Sequence, residues 1–210
     1  MVKTHRDTIS VNDCQVLAHY QFEADQYIIT LESKEIADST RPGQFVHLSV
    51  SGMLAMRRPI SVMSVDADNG TFDLLYKIVG EGTKQLADRK IGDVLSVIGP
   101  IGNGFELTDR KIPLLIGGGV GMPPMIAIAQ KIKDNAYYNP YVILGSEVPF
   151  PFEASQSSLN GFNSSKFYTM PLLEEWRVPC GLASLQDYEG VYKGYVTDLA
   201  REFLDSLSTN

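Results

Sequence analysis

A short apolar run that ends in a glycine-rich turn constrains the fold of this chain most strongly. Residues 114–116 are followed by four glycines within residues 117–121, by Pro123 and Pro124, and by apolar residues at helical spacing. This order predicts a buried strand, a tight turn and an amphipathic helix. Glycines at such a turn let backbone amides approach a pyrophosphate, and the helix start favours an anion. The turn therefore predicts a nucleotide site formed by Gly117, Gly118, Gly119, Val120, Gly121 and Pro123. A plain glycine loop is the alternative, because the spacing is not G-x-G-x-x-G.

The charge balance and the cysteines limit the partners and the compartment. The 210 residues carry a net charge of −7, which argues against a broad nucleic-acid surface. An anionic ligand must then be held by a local cluster such as Arg57 and Arg58. Two cysteines, Cys14 and Cys180, make no disulfide framework and fit the cytoplasm. We expect no signal peptide in residues 1–7 and no membrane span, because no apolar run approaches ~20 residues.

Residues 8–100 show the pattern of an antiparallel β-barrel. Short runs rich in β-branched and aromatic residues predict strands at 8–22, 27–32, 44–50, 60–65, 71–79 and 94–98. Turn residues separate the runs, and Asn69-Gly70 is a strong hairpin signal. About six such strands favour a small closed barrel, which hides its own edges. The one helix that we predict in this region covers residues 83–89.

Two motifs on the predicted barrel suit a phosphate-bearing cofactor. In residues 57–61, Arg58 can bind a phosphate through its guanidinium, and Ser61 can bind a flavin ring or phosphate oxygen. In residues 80–83, glycines and the Thr83 hydroxyl open a helix, which predicts a pyrophosphate site. The alternatives are a solvated arginine pair before an edge strand and an ordinary turn with Thr83 as N-cap. One hairpin separates the motifs and can bring both to one rim of the barrel.

After residue 105 the pattern changes to alternating strands and helices, which predicts a parallel sheet with crossovers. We predict strands at 112–116, 140–145 and, more weakly, 167–170, with a helix from Pro124 to Lys133. The last segment predicts an amphipathic helix capped by Thr197 or Asp198. Ligands of such sheets lie beyond the carboxyl ends of the strands, so residues 117–121 and 145–147 should share one rim. Ser146 and Glu147 offer no cation for a 2′-phosphate, which favours NADH over NADPH. A solvated loop carboxylate is the alternative for Glu147.

The motifs, taken in order, resemble those of the ferredoxin–NADP reductase superfamily. Within it, the chain is most similar to the electron-transfer subunit of bacterial dihydroorotate dehydrogenase. The similarity rests on residues 58–61, 75–77, 82–83, 99–105 and 117–124, and the run Gly-Pro-Ile-Gly-Asn-Gly-Phe at 99–105 is typical of that subunit. The resemblance implies an FAD-binding barrel in residues 1–105 and an NAD-binding α/β domain in residues 106–210.

The same resemblance implies roles for individual residues. The flavin ring and phosphate would be held by Arg58, Pro59, Ile60 and Ser61, the flavin would be lined by Leu75, Tyr76 and Lys77, and the pyrophosphate would contact Gly82 and Thr83. Hydride would pass from NAD(P)H to FAD, with no catalytic side chain required. Electrons would then reach a catalytic dihydroorotate dehydrogenase subunit in a hetero-oligomer that serves pyrimidine synthesis.

Two departures from the family pattern lead to further expectations. The family has another strand after the last helix and then a cysteine-rich tail that ligates a [2Fe–2S] cluster. Such a cluster needs four ligands, which Cys14 and Cys180 cannot supply, and we interpret Cys180 as an ordinary thiol. We therefore expect either a truncated chain or a variant that lacks the cluster.

Alternative functions are a free-standing NAD(P)H-dependent flavin or ferredoxin reductase, and a non-catalytic nucleotide-binding module. We expect His5, His19 and His47 to be structural, because none has a nucleophile or metal partner at a meaningful spacing. Among the tyrosines, only Tyr76 is expected to contact a cofactor.

Overall fold

A computed structural model of the chain describes residues 9–50, 56–162 and 167–208, with the side chain of residue 208 excepted. By its internal contacts the chain divides into two compact units, Met1–Phe105 and Glu106–Asn210. His5, Thr8 and the predicted segment at 1–7 lie outside the described residues. Within the described ranges, no helix combines the length and apolarity needed to cross a membrane.

The first unit is a closed six-stranded barrel, as the sequence predicts. Its elements are β1 (Ser10–Phe22), β2 (Gln26–Glu32), α1 (Lys34–Ser39), β3 (Phe45–Ser49), β4 (Arg58–Asp66), β5 (Thr71–Lys77), α2 (Glu81–Ala87) and β6 (Val94–Ile101). The strands are ordered β1-β2-β5-β4-β3-β6 around the ring, and every neighbouring pair is antiparallel. Aliphatic side chains form its core together with Cys14, Tyr27, Phe72 and Tyr76. Each of the six described strands thus has a neighbouring strand on both sides, so none of them lies at an edge of the sheet.

The long first strand closes the ring because it has two partners. Its first half, from Ser10, pairs with β6, and its second half, to Phe22, pairs with β2. A bulge at Leu17 shifts the register, so that Val16 faces Leu31 and His19 faces Ile29. Strict alternation from Val16 would direct residues 18 and 20 inward. The bulge instead places His19 on the face of the fully buried Ile29 and leaves residue 20 at 60% exposure.

Two predictions about this unit need correction, and one is confirmed. The helix predicted at 83–89 begins earlier, since α2 covers Glu81–Ala87. A second helix, α1, was not predicted; the Ser33 hydroxyl caps it by accepting a hydrogen bond from the Ile36 amide at 3.3 Å. The hairpin predicted at Asn69-Gly70 joins β4 to β5.

The second unit contains a four-stranded parallel sheet. Its strands are β7 (Leu114–Gly118), β8 (Tyr141–Gly145), β11 (Cys180–Ser184) and β12 (Tyr192–Lys193), ordered β12-β11-β8-β7. Helices α3 (Met122–Ile132) and α5 (Val196–Ser208) pack on the sheet, and α4 covers Pro171–Glu175. The apolar strand, glycine turn and helix predicted at its start are present, with the prolines in the first helical turn.

Three expectations for this unit are wrong in detail. The strand predicted at 167–170 is the short β10 (Tyr168–Thr169), which pairs antiparallel with β9 (Ser155–Gln156) outside the parallel sheet. The third parallel strand is instead β11, and Cys180 opens it. The last helix begins at Val196, so Thr197 and Asp198 lie inside it and do not cap it.

Both cysteines are fully buried free thiols, one in each unit. Burial raises the pKa of Cys14 and of Cys180 to about 12. Both side chains therefore stay protonated near neutral pH and act as packing groups.

Candidate functional site

Two arginines of the barrel, Arg58 and Arg89, have a buried Nε without a hydrogen-bond partner in the described structure, and Arg58 is the one that lies against Gly82. Arg58 opens β4, and its Nη2 donates to the carbonyl oxygen of Met56 at 2.9 Å. Its Nε is buried and has no hydrogen-bond partner in the described structure. Buried polar groups are nearly always paired, so this N–H is available to donate a hydrogen bond to a bound ligand. The neighbouring Arg57 differs, because its guanidinium donates to the carbonyl and hydroxyl oxygens of Ser96 at 2.7 and 3.0 Å.

The two barrel motifs lie against each other, as the sequence predicts. A methyl group at Gly82 would sit 2.7 Å from Cδ and 2.9 Å from Cζ of Arg58, so only glycine leaves room for the guanidinium. Gly80, two residues earlier, is exposed, and a methyl group there would meet nothing within 4 Å. A cation with an unpaired donor beside an open glycine segment fits the pyrophosphate of a dinucleotide.

The hydroxyl of Thr83 shapes the loop that leads into α2. It accepts from the amides of Val79 and Gly80 at 2.9 and 3.3 Å and donates to the Gly80 carbonyl at 3.0 Å. Gly80 is the N-cap and Thr83 is the third helical residue, so the N-cap alternative for Thr83 is wrong. Its hydroxyl is engaged within the loop, so Thr83 fixes the loop backbone.

The remaining predicted flavin residues lie on β4 and β5 with different exposures. Pro59 is exposed, and Ser61 and Lys77 are half-buried. Ile60 and Tyr76 belong to the barrel core, and Leu75 is also buried. The ring of Tyr76 stacks on Tyr27 with centroids 5.3 Å apart, so a contact with flavin would come from its backbone. The cofactor roles of these residues stay predictions.

In the second unit the glycine turn packs tightly on one side and is open on the other. A methyl group at Gly117 would lie 2.7 Å from the carbonyl oxygen of Gly121 and 3.1 Å from Cα of Met122. Methyl groups at Gly119 and Gly121 would meet nothing within 4 Å. Gly119 has φ +53°, which an L-residue rarely adopts. The turn is therefore held close to its own helix and presents backbone to open space, which suits a pyrophosphate.

The carboxyl ends of three strands meet beside this turn. Gly118 pairs with Gly145, as expected from the predicted shared rim. The Ser184 hydroxyl donates to the Ser146 carbonyl at 2.8 Å, and the side-chain amide of Gln186 donates to the Glu147 carbonyl at 2.9 Å. Ser184 and Gln186 were not among the predicted site residues, although a polar pair after a short buried run is the signal for them. Glu147 itself is exposed.

The described residues hold no group of three or more histidine, cysteine or acidic side chains that is suited to a metal ion.

Replacing Gly82 by alanine is expected to weaken FAD binding about tenfold, because the added methyl displaces the guanidinium from its place. The barrel should keep its stability, since the clashing atoms belong to the end of a flexible side chain. Isothermal titration of the apoprotein with FAD and thermal unfolding of the same sample measure the two quantities. Gly80→Ala is the matched control for folding: its φ of 178° suits any residue, and its methyl meets no protein atom. Equal FAD affinity in Gly82→Ala and wild type contradicts the placement of Arg58.

The chain is similar in sequence to known proteins. Residues 13–105 match the oxidoreductase FAD-binding domain family. A protein of Bacillus cereus named dihydroorotate dehydrogenase B (NAD(+)), electron transfer subunit, is 31% identical over 195 residues, covering 80% of this chain and 73% of that protein. A protein of Listeria innocua with the same name is 34% identical over 199 residues, which cover 91% of this chain and 69% of the Listeria protein.

Solved structures share the fold at lower identity. An NADH-dependent reduced ferredoxin-NADP oxidoreductase superposes with a TM-score of 0.73 at 23% identity, over 97% of this chain and 65% of its own. The ferredoxin reductase of carbazole 1,9a-dioxygenase gives a TM-score of 0.69 at 19% identity, over 91% of this chain and 56% of the reductase chain. The chain thus spans less than two thirds of either structure.

Proposed function

Because this chain belongs to the family of FAD-binding electron transfer subunits of dihydroorotate dehydrogenase B, we propose that it passes electrons from NADH through FAD to a catalytic partner subunit. The first unit would bind FAD and the second would bind NADH. The partner would be the dihydroorotate dehydrogenase subunit, in a hetero-oligomer. Both cysteines are free thiols, which suits the reducing cytoplasm that we propose as its location.

The observation that carries this proposal is the buried, unpaired Nε of Arg58, held against Gly82. A buried N–H without an acceptor is costly unless a ligand supplies one. The guanidinium is a fork of donors that matches phosphate oxygens. The chain carries a net charge of −7, so a phosphate held here needs this local cation.

In this proposal the residues of the chain bind and orient FAD and NADH, and we assign none of them a proton transfer. Arg58 would bind the FAD phosphates, and Thr83 would keep the adjoining loop in place. Bound FAD supplies the capacity to accept a hydride and to release electrons one at a time. Backbone amides of residues 117–121 would bind the NADH pyrophosphate. The exposed carboxylate of Glu147, at the end of β8, would accept from a ribose hydroxyl and disfavour a 2′-phosphate.

The experiment that tests the proposal is anaerobic reduction of the FAD-loaded protein by NADH. We expect a yellow protein whose absorbance near 450 nm bleaches within seconds, about tenfold faster with NADH than with NADPH at equal concentration. A protein that binds FAD and NADH without bleaching would instead be a nucleotide-binding module. Copurification with a dihydroorotate dehydrogenase subunit, followed by its NADH-dependent reduction of orotate, tests the partner. Transfer to ferredoxin without such a subunit would favour a free-standing reductase.

A further inference from the structure

His19 connects the two ends of the segment that carries Gly80, Gly82 and Thr83. This segment, residues 78–88, follows β5 and contains α2. Ahead of it, the hydroxyl of Tyr76 lies 2.8 Å from Nε2 of His19. Behind it, the carbonyl oxygen of Arg89 lies 2.9 Å from Nδ1 of the same ring. One imidazole on β1 therefore bonds both the entry and the exit of the segment.

The partners of the ring define its tautomer. A carbonyl oxygen only accepts, so Nδ1 carries the proton and donates to Arg89. The other nitrogen, Nε2, is then free to accept the proton of the Tyr76 hydroxyl. Burial raises the pKa of Tyr76 well above its usual value, so this hydroxyl keeps its proton. In this tautomer each donor of the two hydrogen bonds faces an acceptor.

The ring is held in this position by packing as well as by hydrogen bonds. Its centroid lies 5.4 Å from that of Tyr27, which stacks on Tyr76 in turn. The bulge at Leu17 sets the register that turns His19 inward. The orientation of the His19 ring is therefore fixed by the bulge, by the neighbouring tyrosine rings and by two hydrogen bonds.

We propose that His19 is a positioning residue for FAD, which rests on the function proposed above. By bonding Tyr76 and Arg89, it fixes the distance between the end of β5 and the end of α2. That distance determines where Gly82 meets the Arg58 guanidinium. The histidine thus sets the geometry of the phosphate site without contacting a phosphate.

The test compares variants that remove one bond or both. His19→Leu removes both bonds and should raise the Kd for FAD about tenfold. His19→Asn keeps a donor near the place of Nδ1, and Tyr76→Phe keeps the ring but removes its hydroxyl; each should raise the Kd about threefold. The double variant His19→Asn/Tyr76→Phe should be no worse than either single change, because both remove the same bond.

A matched control separates positioning from stability. Ile29→Val acts on the register partner of His19 and lowers barrel stability without touching a hydrogen bond of the segment. Thermal unfolding of each apoprotein gives its stability, and titration gives its FAD affinity. We expect Ile29→Val to bind FAD like the wild type, and His19→Leu to bind it more weakly even at equal stability. Unchanged affinity in the His19 variants, or an equal loss in Ile29→Val, overturns the inference. Wild-type protein that does not bind FAD refutes the proposed function instead.

Discussion

Replacing Arg58 by alanine is expected to weaken FAD binding about 100-fold while the apoprotein stays as stable as the wild type. Charge-assisted hydrogen bonds to phosphate contribute about 1.5–3 kcal/mol each, and 1.4 kcal/mol corresponds to tenfold in Kd. Removing the side chain also removes a buried N–H that has no partner, so unfolding should not become easier. Titration of the apoprotein with FAD, beside its thermal unfolding curve, measures both.

Arg58→Lys and Arg57→Ala are the controls for this experiment. Lysine keeps the charge but loses the fork of donors, so we expect it to recover part of the affinity. Arg57→Ala should instead reduce the stability of the apoprotein, because the Arg57 guanidinium donates to the carbonyl and hydroxyl oxygens of Ser96 and links the start of β4 to β6. It should lower the unfolding temperature. If Arg58→Ala retains FAD with wild-type affinity, the assignment of this arginine to the cofactor is wrong.

Replacing Gly117 by alanine is expected to destabilise the second unit by about 2–3 kcal/mol and to abolish NADH-dependent bleaching. The new methyl would lie 2.7 Å from a carbonyl oxygen and 3.1 Å from a Cα, and backbone cannot move aside as a side chain can. Overpacking of this kind costs about 1–3 kcal/mol, and the displaced turn would no longer present its amides to a pyrophosphate. Denaturant unfolding and stopped-flow reduction by NADH measure the two effects.

Gly118→Ala, one residue later, is the control for packing. Its φ of −130° suits any residue, and its methyl would find its nearest neighbour at 3.8 Å, an ordinary contact. We expect its stability within about 0.5 kcal/mol of the wild type. Should Gly117→Ala unfold at the same denaturant concentration as Gly118→Ala, the turn is looser than the structure describes.

The barrel was predictable because its strands alternate clearly and its turns carry the expected residues. Asn69-Gly70 marks a hairpin wherever two strand-like runs flank it, and the structure joins β4 to β5 there. The strand β11 was missed because Cys-Gly-Leu-Ala-Ser is short, small and buried throughout, so it shows no alternation. The bulge at Leu17 was missed for a related reason. A register shift depends on the partner strand, which one segment of sequence does not reveal.

For the candidate site, sequence motifs predicted which segments come together but not the individual side-chain contacts between them. The meeting of Arg58 with Gly82 followed from the single hairpin between their motifs. The unpaired Nε and the internal bonds of the Thr83 hydroxyl depend on side-chain conformation, which sequence patterns do not encode. The partners of His19 lie 57 and 70 positions away in the chain, so no local pattern indicates them.

The double pairing of β1 also has a consequence during protein synthesis. The strand leaves the ribosome early, but β6, which completes it, follows only after the other four strands. Until then the nascent chain exposes an unpaired row of amides and carbonyls, which is a template for association between chains. A pause in translation before β6 has left the ribosome should therefore promote aggregation, whereas the same pause after β6 has emerged should not.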